Sequence, residues 1–338
     1  MSAIVFDLGG TYLRGALSDA SGKLLAQSIR KKPLAELLQS NRPDTVWDGI
    51  LAFMVAFEAE VRHQVPPTAP VVLSFPGPIK HPSQILSAPT VAGDATSLPD
   101  LASEMRKSLG RPSHIINDIS AAAWYFSQMV PAERFLVVTI SSGIGSKIFD
   151  RAHPLGVLDD IPYAGEIGHA LVDPGPQAMT CDCGGRGHLG AVSSGRGVER
   201  YARLSAQKEP DRFAQSACAW KFGGTAATLA NEAHLVPAAR LGDPWALKVI
   251  KECTYPLARM LLAVVMAAGL EKVVIIGGFA LALKEAYLEV LGETLRESCD
   301  FAIMADYLKD LIIMGDLKEE ACLEGAAVYA RRLGSGGT

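Results

Sequence analysis

Short, nearly continuous apolar runs at residues 4–8, 71–75, 114–116, 135–140 and 273–276 predict buried strands, and most of them end in a glycine-rich or acidic turn. Between them, residues 47–63, 119–129 and 245–268 keep their apolar positions at helical spacing. Pro256 falls inside the last segment and predicts a kink or a split there. The apolar run at 260–270 is too short to span a bilayer and reads as part of a buried core helix. Strands interleaved with helices make this an α/β chain. A loose internal echo is visible as well. Phe6-Asp7-Leu8-Gly9-Gly10-Thr11 and Thr139-Ile140-Ser141-Ser142-Gly143-Ile144-Gly145 are each a strand, a turn of small residues and the start of a second strand. Two halves, divided near residue 119 just after Asn117-Asp118, would each present one phosphate loop to a shared cleft.

Composition narrows the functional classes. The 338 residues suffice for about two domains, and 49% hydrophobic with 20% charged residues describes a soluble globular protein. A formal net charge of −4 offers no broad attraction for nucleic acid or an anionic membrane; the basic run Arg30-Lys31-Lys32 is short. No basic segment followed by a long apolar one opens the chain, so it is expected to remain where it is made. Of six cysteines only Cys181 and Cys183 lie close together, which is not a disulfide framework and fits a reducing cytoplasm.

Several turns have the residues phosphoryl chemistry needs. At Gly9-Gly10-Thr11 two glycines permit positive φ and close approach of a ligand, while Thr11 and the turn amides offer donors to phosphate. Asp7 at the strand end is placed to hold Mg²⁺ through water. The other reading is an ordinary Gly-Gly hairpin with a solvated acid. Transfer to a hydroxyl requires a carboxylate within reach of that hydroxyl, and Asp118, between an apolar run and an alanine-rich helix, is the candidate general base. From local sequence Asp118 reads equally as the cap of a helix starting near Ser120, whereas Asn117 beside it adds an amide suited to a polyol. Ser142, Gly143 and Gly145 read as a second phosphate loop or as a plain turn, and Lys147 is expected to point into solvent. Gly277-Gly278 closes an apolar strand and leaves room for an adenosine moiety. Gly185-Arg186-Gly187-His188-Leu189-Gly190 has the spaced glycines of a dinucleotide fingerprint, but it follows a cysteine-rich loop and not a strand.

Taken in order, these segments resemble the ROK family of sugar kinases, a branch of the actin and hexokinase superfamily with paired ribonuclease-H-like domains. Asp7-Leu8-Gly9-Gly10-Thr11 with Arg14 is similar to the family's first phosphate motif, and Ser142-Gly143-Ile144-Gly145 to its second. Ser74-Phe75-Pro76-Gly77-Pro78-Ile79 resembles the turn before the sugar site, Asn117-Asp118 with Ala121-Ala122-Ala123-Trp124 the catalytic segment, and Ile276-Gly277-Gly278 the adenosine motif. The resemblance implies an N-terminal domain over residues 1–118, completed by a C-terminal helix near 320–334, and a larger domain over 119–319. It implies ATP and Mg²⁺ as cofactors, substrate contacts at Gly77, Asn117, Glu166 and His169, nucleotide contacts at Asp7, Gly9, Gly10, Thr11, Ser142, Gly143, Gly277 and Gly278, and a homodimer.

Gly165-Glu166-Ile167-Gly168-His169 and Cys181-Asp182-Cys183-Gly184 also match the family. His169, Cys181, Cys183 and His188 supply four thiolate and imidazole ligands, enough for a closed structural zinc site. The family's last ligand is usually cysteine, which His188 replaces; the alternative is a loop that has lost its metal. Such a zinc would pin Glu166 and His169 against the substrate. Two departures stand out. Gly190 occupies the place of a sugar-contacting glutamate, and Ala88-Pro89-Thr90-Val91-Ala92-Gly93 lacks the asparagine and tryptophan expected there. A lost polar contact changes which polyol is accepted. The expectation is therefore an ATP-dependent kinase of a hexose or a hexose-like polyol, with a C7-cyclitol or amino sugar as the alternative acceptor. A sugar-binding transcriptional regulator is the reading from another class; its helix-turn-helix would have to precede a motif that here starts at residue 6.

Overall fold

The structure is a computed structural model describing residues 2–37, 44–80, 84–88, 91, 93, 98–161 and 163–335. The altered segment around Thr90 lies in part outside the described residues. The chain forms two compact units, Met1–Pro131 with Phe149–Ala164 and Leu317–Thr338, and Ala132–Ile148 with Gly165–Asp316.

The first unit is built on a five-stranded sheet of β1 (Ala3–Leu8), β2 (Tyr12–Ser18), β3 (Arg30–Pro33), β4 (Val71–Phe75) and β7 (Ser113–Asn117), in the order β3-β2-β1-β4-β7. The first three strands are antiparallel neighbours; β4 and β7 run parallel to β1. A small hairpin, β5 (Ile79–Lys80) and β6 (Gln84–Ile85), stands apart. Helix α1 (Asp44–Val61) places Ile50, Met54 and Phe57 against Ile4, Phe6 and Leu8, and α2 (Leu101–Leu109) adds Leu101 and Met105 to the same core. Helix α3 (Asp118–Phe126) packs on the C-terminal helix Ala321–Ser335 through small residues: Ala121–Ala123 on one side, Gly325, Ala326 and Ala330 on the other. A Cβ at position 325 would come 1.8 Å from the Ala121 carbonyl oxygen. That contact ties α3 to the first unit, so the boundary expected at residue 118 falls at 131.

The second sheet consists of β8 (Arg134–Ile140), β9 (Ile144–Asp150, whose last two residues are counted with the first unit), β10 (Lys272–Ile276) and β11 (Ile312–Met314) in the order β11-β10-β8-β9, with β10 parallel to both β8 and β11. Read from the other edge, β9-β8-β10-β11 repeats β2-β1-β4-β7. The internal echo is thus a repeated strand order, and each copy carries its small-residue turn between its first two strands.

Around the second sheet lie α4 (Gly195–Lys208), α5 (Pro244–Ala268), α6 (Gly278–Leu283) and α7 (Glu285–Glu297). Helix α5 begins where Asp243 Oδ1 accepts the Ala246 amide at 2.8 Å and ends at Gly269 in the left-handed region. It runs unbroken through Pro256, so the expected split does not occur. An interior proline costs a helix about 3 kcal/mol. Burial of Leu257, Leu261, Leu262 and Val265, at roughly 1.5–3 kcal/mol each, more than offsets it.

Candidate active site

In the first unit, β1 delivers Asp7 to the edge of the glycine turn. The turn is closed by a 2.9 Å hydrogen bond from the Gly9 amide to the Tyr12 carbonyl, and the Leu34 amide anchors Thr11 through its carbonyl at 2.8 Å. Neither Gly9 nor Gly10 takes positive φ, contrary to the expectation from sequence. A Cβ on Gly10 would meet nothing within 4 Å, and the same holds for Gly143 in the second loop. The fold itself does not require glycine at these two exposed positions; bare backbone open to an incoming group is what they provide.

Asp7 is 6% exposed, and its Oδ2 lies 3.3 Å from Arg14 Nη1. Burial raises its pKa above the ordinary carboxylate value, against the opposing pull of the Ser74 hydroxyl and the Arg14 guanidinium. Strand register explains the grouping. Lys31, Arg14, Asp7 and Ser74 are successive cross-strand partners on β3, β2, β1 and β4, so their side chains form one row on one face.

At the end of β7, Asn117 is the N-cap of α3. Its Oδ1 accepts the Ile119 amide at 2.9 Å and its Nδ2 donates to the Gly77 carbonyl at 2.9 Å. Asp118 is the first residue of the helix. Its Oδ1 also lies 2.9 Å from the Ile119 amide, and its side chain is half-buried. With the cap supplied by Asn117, the Asp118 carboxylate is not needed to start the helix. Gly77 is held by packing: a Cβ there would sit 2.4 Å from the Ser87 carbonyl oxygen. One N–H of the Asn117 amide is therefore paired with the carbonyl of Gly77, which ties the two turns together.

Cys322 of the C-terminal helix approaches the same place, with Sγ 3.6 Å from the Asp118 carbonyl oxygen. Burial first, then the nearby Asp7 and Asp118 carboxylates, pushes its thiol pKa well up. It stays a neutral thiol under ordinary conditions and is not a nucleophile.

In the second unit the loop Ser141-Ser142-Gly143 joins β8 to β9, and the Ser141 carbonyl accepts the Gly195 amide at 2.7 Å. Ser141, Ser142, Glu199, Asn231, Gly278 and Phe279 are among the residues lining a cavity of about 420 Å³. Gly277, at φ +100° and with only 2.5 Å between a Cβ and the Ile140 amide nitrogen, lets α6 start directly behind β8. One wall is a single π turn, Asn231–Leu235, in which Asn231 donates to the Gly195 carbonyl at 2.7 Å and its amide meets Glu199 Oε2 at 3.0 Å. Glu199 and Asn231 were not singled out from sequence, since nothing in their local pattern marks them. Lys147, expected in solvent, is 5% exposed, its stem beside Gly165.

The segment carrying Glu166 and His169 presses on β9. A Cβ at Gly165 would lie 1.8 Å from the Ser146 carbonyl oxygen, and one at Gly168 2.2 Å from that of Ile144, so only glycine permits this approach. Ser146 fastens the contact by donating its hydroxyl and amide to the Gly165 carbonyl at 2.8 and 3.0 Å. Glu166 Oε2 is 3.9 Å from His169 Nε2.

His169, Cys181, Cys183 and His188 converge, each offering a ligand atom within 4.8 Å of all the others. Cys183 Sγ and His188 Nδ1 are 3.3 Å apart. Burial raises the Cys181 thiol pKa, while Cys183 acts both ways, its backbone amide favouring the thiolate and its side chain opposing it. Two thiols and two imidazoles match the donor preference of zinc and complete a tetrahedral set. Between the cysteines, Asp182 accepts from Arg196 Nη1 at 2.7 Å and Arg200 Nη1 at 2.9 Å, which fastens the loop to α4.

The profile of the ROK family matches residues 3–332. A C(7)-cyclitol 7-kinase from Streptomyces hygroscopicus subsp. limoneus is 35% identical over 340 residues, covering 98% of this chain and 95% of the relative. A 2-epi-5-epi-valiolone 7-kinase from Actinoplanes sp. is 29% identical over 308 residues, 86% of this chain and 81% of the relative. A ROK hexokinase from Thermus thermophilus shares the fold, with a TM-score of 0.70 at 24% identity and coverage of 97% of both chains. With the family profile and a full-length relative agreeing, this chain belongs to the ROK family.

Proposed function

We propose that this protein is an ATP-dependent kinase that phosphorylates a hydroxyl of a sugar-like polyol, with a C7-cyclitol as the favoured acceptor and a hexose as the second reading. The observation that carries the proposal is the division of labour at the start of α3. Asn117 caps the helix and holds Gly77, and beside it the half-buried carboxylate of Asp118 stands in the first turn, with Oδ1 2.9 Å from the Ile119 amide, as the group that would take the proton of an acceptor hydroxyl.

The roles of the other residues follow from their chemistry. Asp7 would hold Mg²⁺ through water, and the ion would supply charge neutralisation to the nucleotide phosphates. Gly9, Gly10 and Thr11 in one unit and Ser142 and Gly143 in the other offer open backbone and hydroxyls to phosphate. Gly278 and the cavity it lines suit an adenosine group. Glu166 and His169 orient the acceptor. His169, Cys181, Cys183 and His188 would hold a structural zinc that fixes the loop next to them.

The cyclitol reading is supported by the 35% identity to a C(7)-cyclitol 7-kinase over nearly the whole chain and by Gly190. A Cβ at position 190 would come 3.2 Å from the Gly168 carbonyl oxygen, so the missing side chain belongs to the neighbourhood of Glu166 and His169. Its absence removes a hydrogen-bonding group from beside the acceptor segment and alters the choice of polyol. All six cysteines are free, in keeping with a reducing cytoplasm. No helix among the described residues is long and apolar enough to cross a membrane. A homodimer, as the family resemblance implies, has an exposed apolar face to draw on in Tyr255 and Met266 of α5.

A coupled ADP-release screen over cyclitols, hexoses and amino sugars tests the reading. Turnover highest on a C7-cyclitol is the expected result. Preference for a hexose selects the second reading, and no turnover on any acceptor overturns the kinase assignment.

A further inference from the structure

The first phosphate hairpin is bordered by cations that are already neutralised from within the chain. Arg14 Nη1 lies 3.8 Å from where a Cβ of Gly9 would stand, so the guanidinium rests against the hairpin. Its Nη2 donates to Glu319 Oε1 at 3.0 Å, and the same oxygen receives the ammonium of Lys31. Lys31 also sits 3.8 Å over the ring of Tyr12, the residue that follows Thr11. Arg14 and Lys31 are cross-strand partners on β2 and β3, and the sheet therefore presents both cations on one face. Glu319 comes from the segment leading into the C-terminal helix. Its side chain is 51% exposed, whereas that of Arg14 is 13% exposed. A largely solvated carboxylate thus caps a largely buried guanidinium next to a glycine turn that has room for phosphate.

We propose that Glu319 occupies the position on Arg14 and Lys31 that the terminal phosphate of a nucleoside triphosphate takes, and that it swings out when the nucleotide binds. The inference rests on the kinase reading above and adds to it a pair of phosphate-contacting cations and an internal competitor for them. Carboxylate and phosphate oxygens make the same charge-assisted contacts with guanidinium and ammonium groups, and phosphate brings more charge and more acceptor oxygens. The Glu319 side chain is half exposed and Lys31 is exposed, so the carboxylate regains water when it leaves, and an incoming phosphate takes over the neutralisation of the buried Arg14. The pairing still has two effects while it lasts. It keeps Arg14 in place beside Asp7, and it lowers triphosphate affinity by the fraction of molecules in which the cations are occupied.

Calorimetric titration of the full chain with Mg²⁺ and either a non-hydrolysable ATP analogue or ADP tests this. Removing the competitor with Glu319→Gln should tighten the triphosphate analogue by roughly 3- to 10-fold, the scale of two ion pairs made by a half-exposed carboxylate, and leave ADP within about 2-fold. Lys31→Met, at an exposed position that the core does not need, should loosen the analogue by about 3-fold or more while sparing ADP. Equal or weaker analogue binding by Glu319→Gln, or no effect of Lys31→Met, overturns the inference while leaving the kinase reading intact if the wild type binds both nucleotides. A wild type that binds neither nucleotide removes the kinase reading, and the inference with it.

Discussion

Asn117 Nδ2 donates to the carbonyl of Gly77 at 2.9 Å, joining the end of β7 to the turn that follows β4. Asn117 Oδ1 in turn accepts the Ile119 amide as the cap of α3. Asn117→Ala should therefore act on stability as well as turnover. Loss of the cap and of a buried amide–carbonyl bond predicts about 1–2 kcal/mol of destabilisation by denaturant unfolding. A variant as stable as the wild type would show that the cap is dispensable.

Asp118 is tested by Asp118→Asn, which keeps an oxygen to accept the Ile119 amide and removes the charge that a general base needs. Turnover should fall by at least about 100-fold, the usual contribution of a positioned general base. Near-normal turnover would remove Asp118 from that role.

Asp7 carries a burial penalty whose sign can be followed. Its folded pKa lies above the unfolded value near 3.8, so the folded state holds the proton more tightly. Its favourable contribution to stability is complete below that value and is lost as pH rises through the raised pKa. At neutral pH the charged form is the strained one. Asp7→Asn should hold or raise the melting temperature at pH 7 while phosphoryl transfer drops sharply, and thermal melts from pH 4 to pH 8 should show the gain over wild type growing with pH. A gain that shrinks with pH would contradict the burial argument.

Metal analysis of gently purified protein should find about one zinc per chain. Chelation, or Cys181→Ser, should lower the melting temperature and disturb the acceptor segment next to His169. Asp182→Asn should cost less, about 1 kcal/mol or below, because its contacts to Arg196 and Arg200 are at the surface. Metal-free protein with an unchanged melting profile on chelation would dismiss the site.

Gly190→Glu restores the side chain that the resemblance led us to expect. Near the Gly168 carbonyl there is little slack, yet the new carboxylate has the acceptor segment as its neighbour. The ratio of kcat/KM for glucose to that for a C7-cyclitol should rise by about 10-fold or more, as expected of a gained hydroxyl contact. An unchanged ratio would move the source of specificity elsewhere in the chain.

Much of the architecture was legible because local pattern and tertiary context agree. The runs at 4–8 and 273–276 form β1 and β10, and the period over 245–268 forms α5, since burial of leucines outweighs Pro256. The grouping of His169, Cys181, Cys183 and His188 was legible because cysteine and histidine close together in sequence suggest a shared metal-ligand set, and the four side chains do converge. Lys147 was misread, because a lysine at a strand position gives no sign that Gly165 will pack beside it. Glu199, Asn231 and Glu319 were silent for a related reason: common polar residues acquire meaning only through distant partners.

By itself the sequence determined the α/β class, the strands and long helices, the two glycine turns, the carboxylates at Asp7 and Asp118, and the two thiols and two imidazoles of Cys181, Cys183, His169 and His188. Those are properties of residue type and short-range spacing. The tertiary structure decided which residue caps α3, that α3 belongs with the C-terminal helix, and that Glu319 reaches Arg14 and Lys31 across 305 and 288 positions of chain. Contacts between residues so far apart depend on how sheets and helices pack, and no local pattern encodes them.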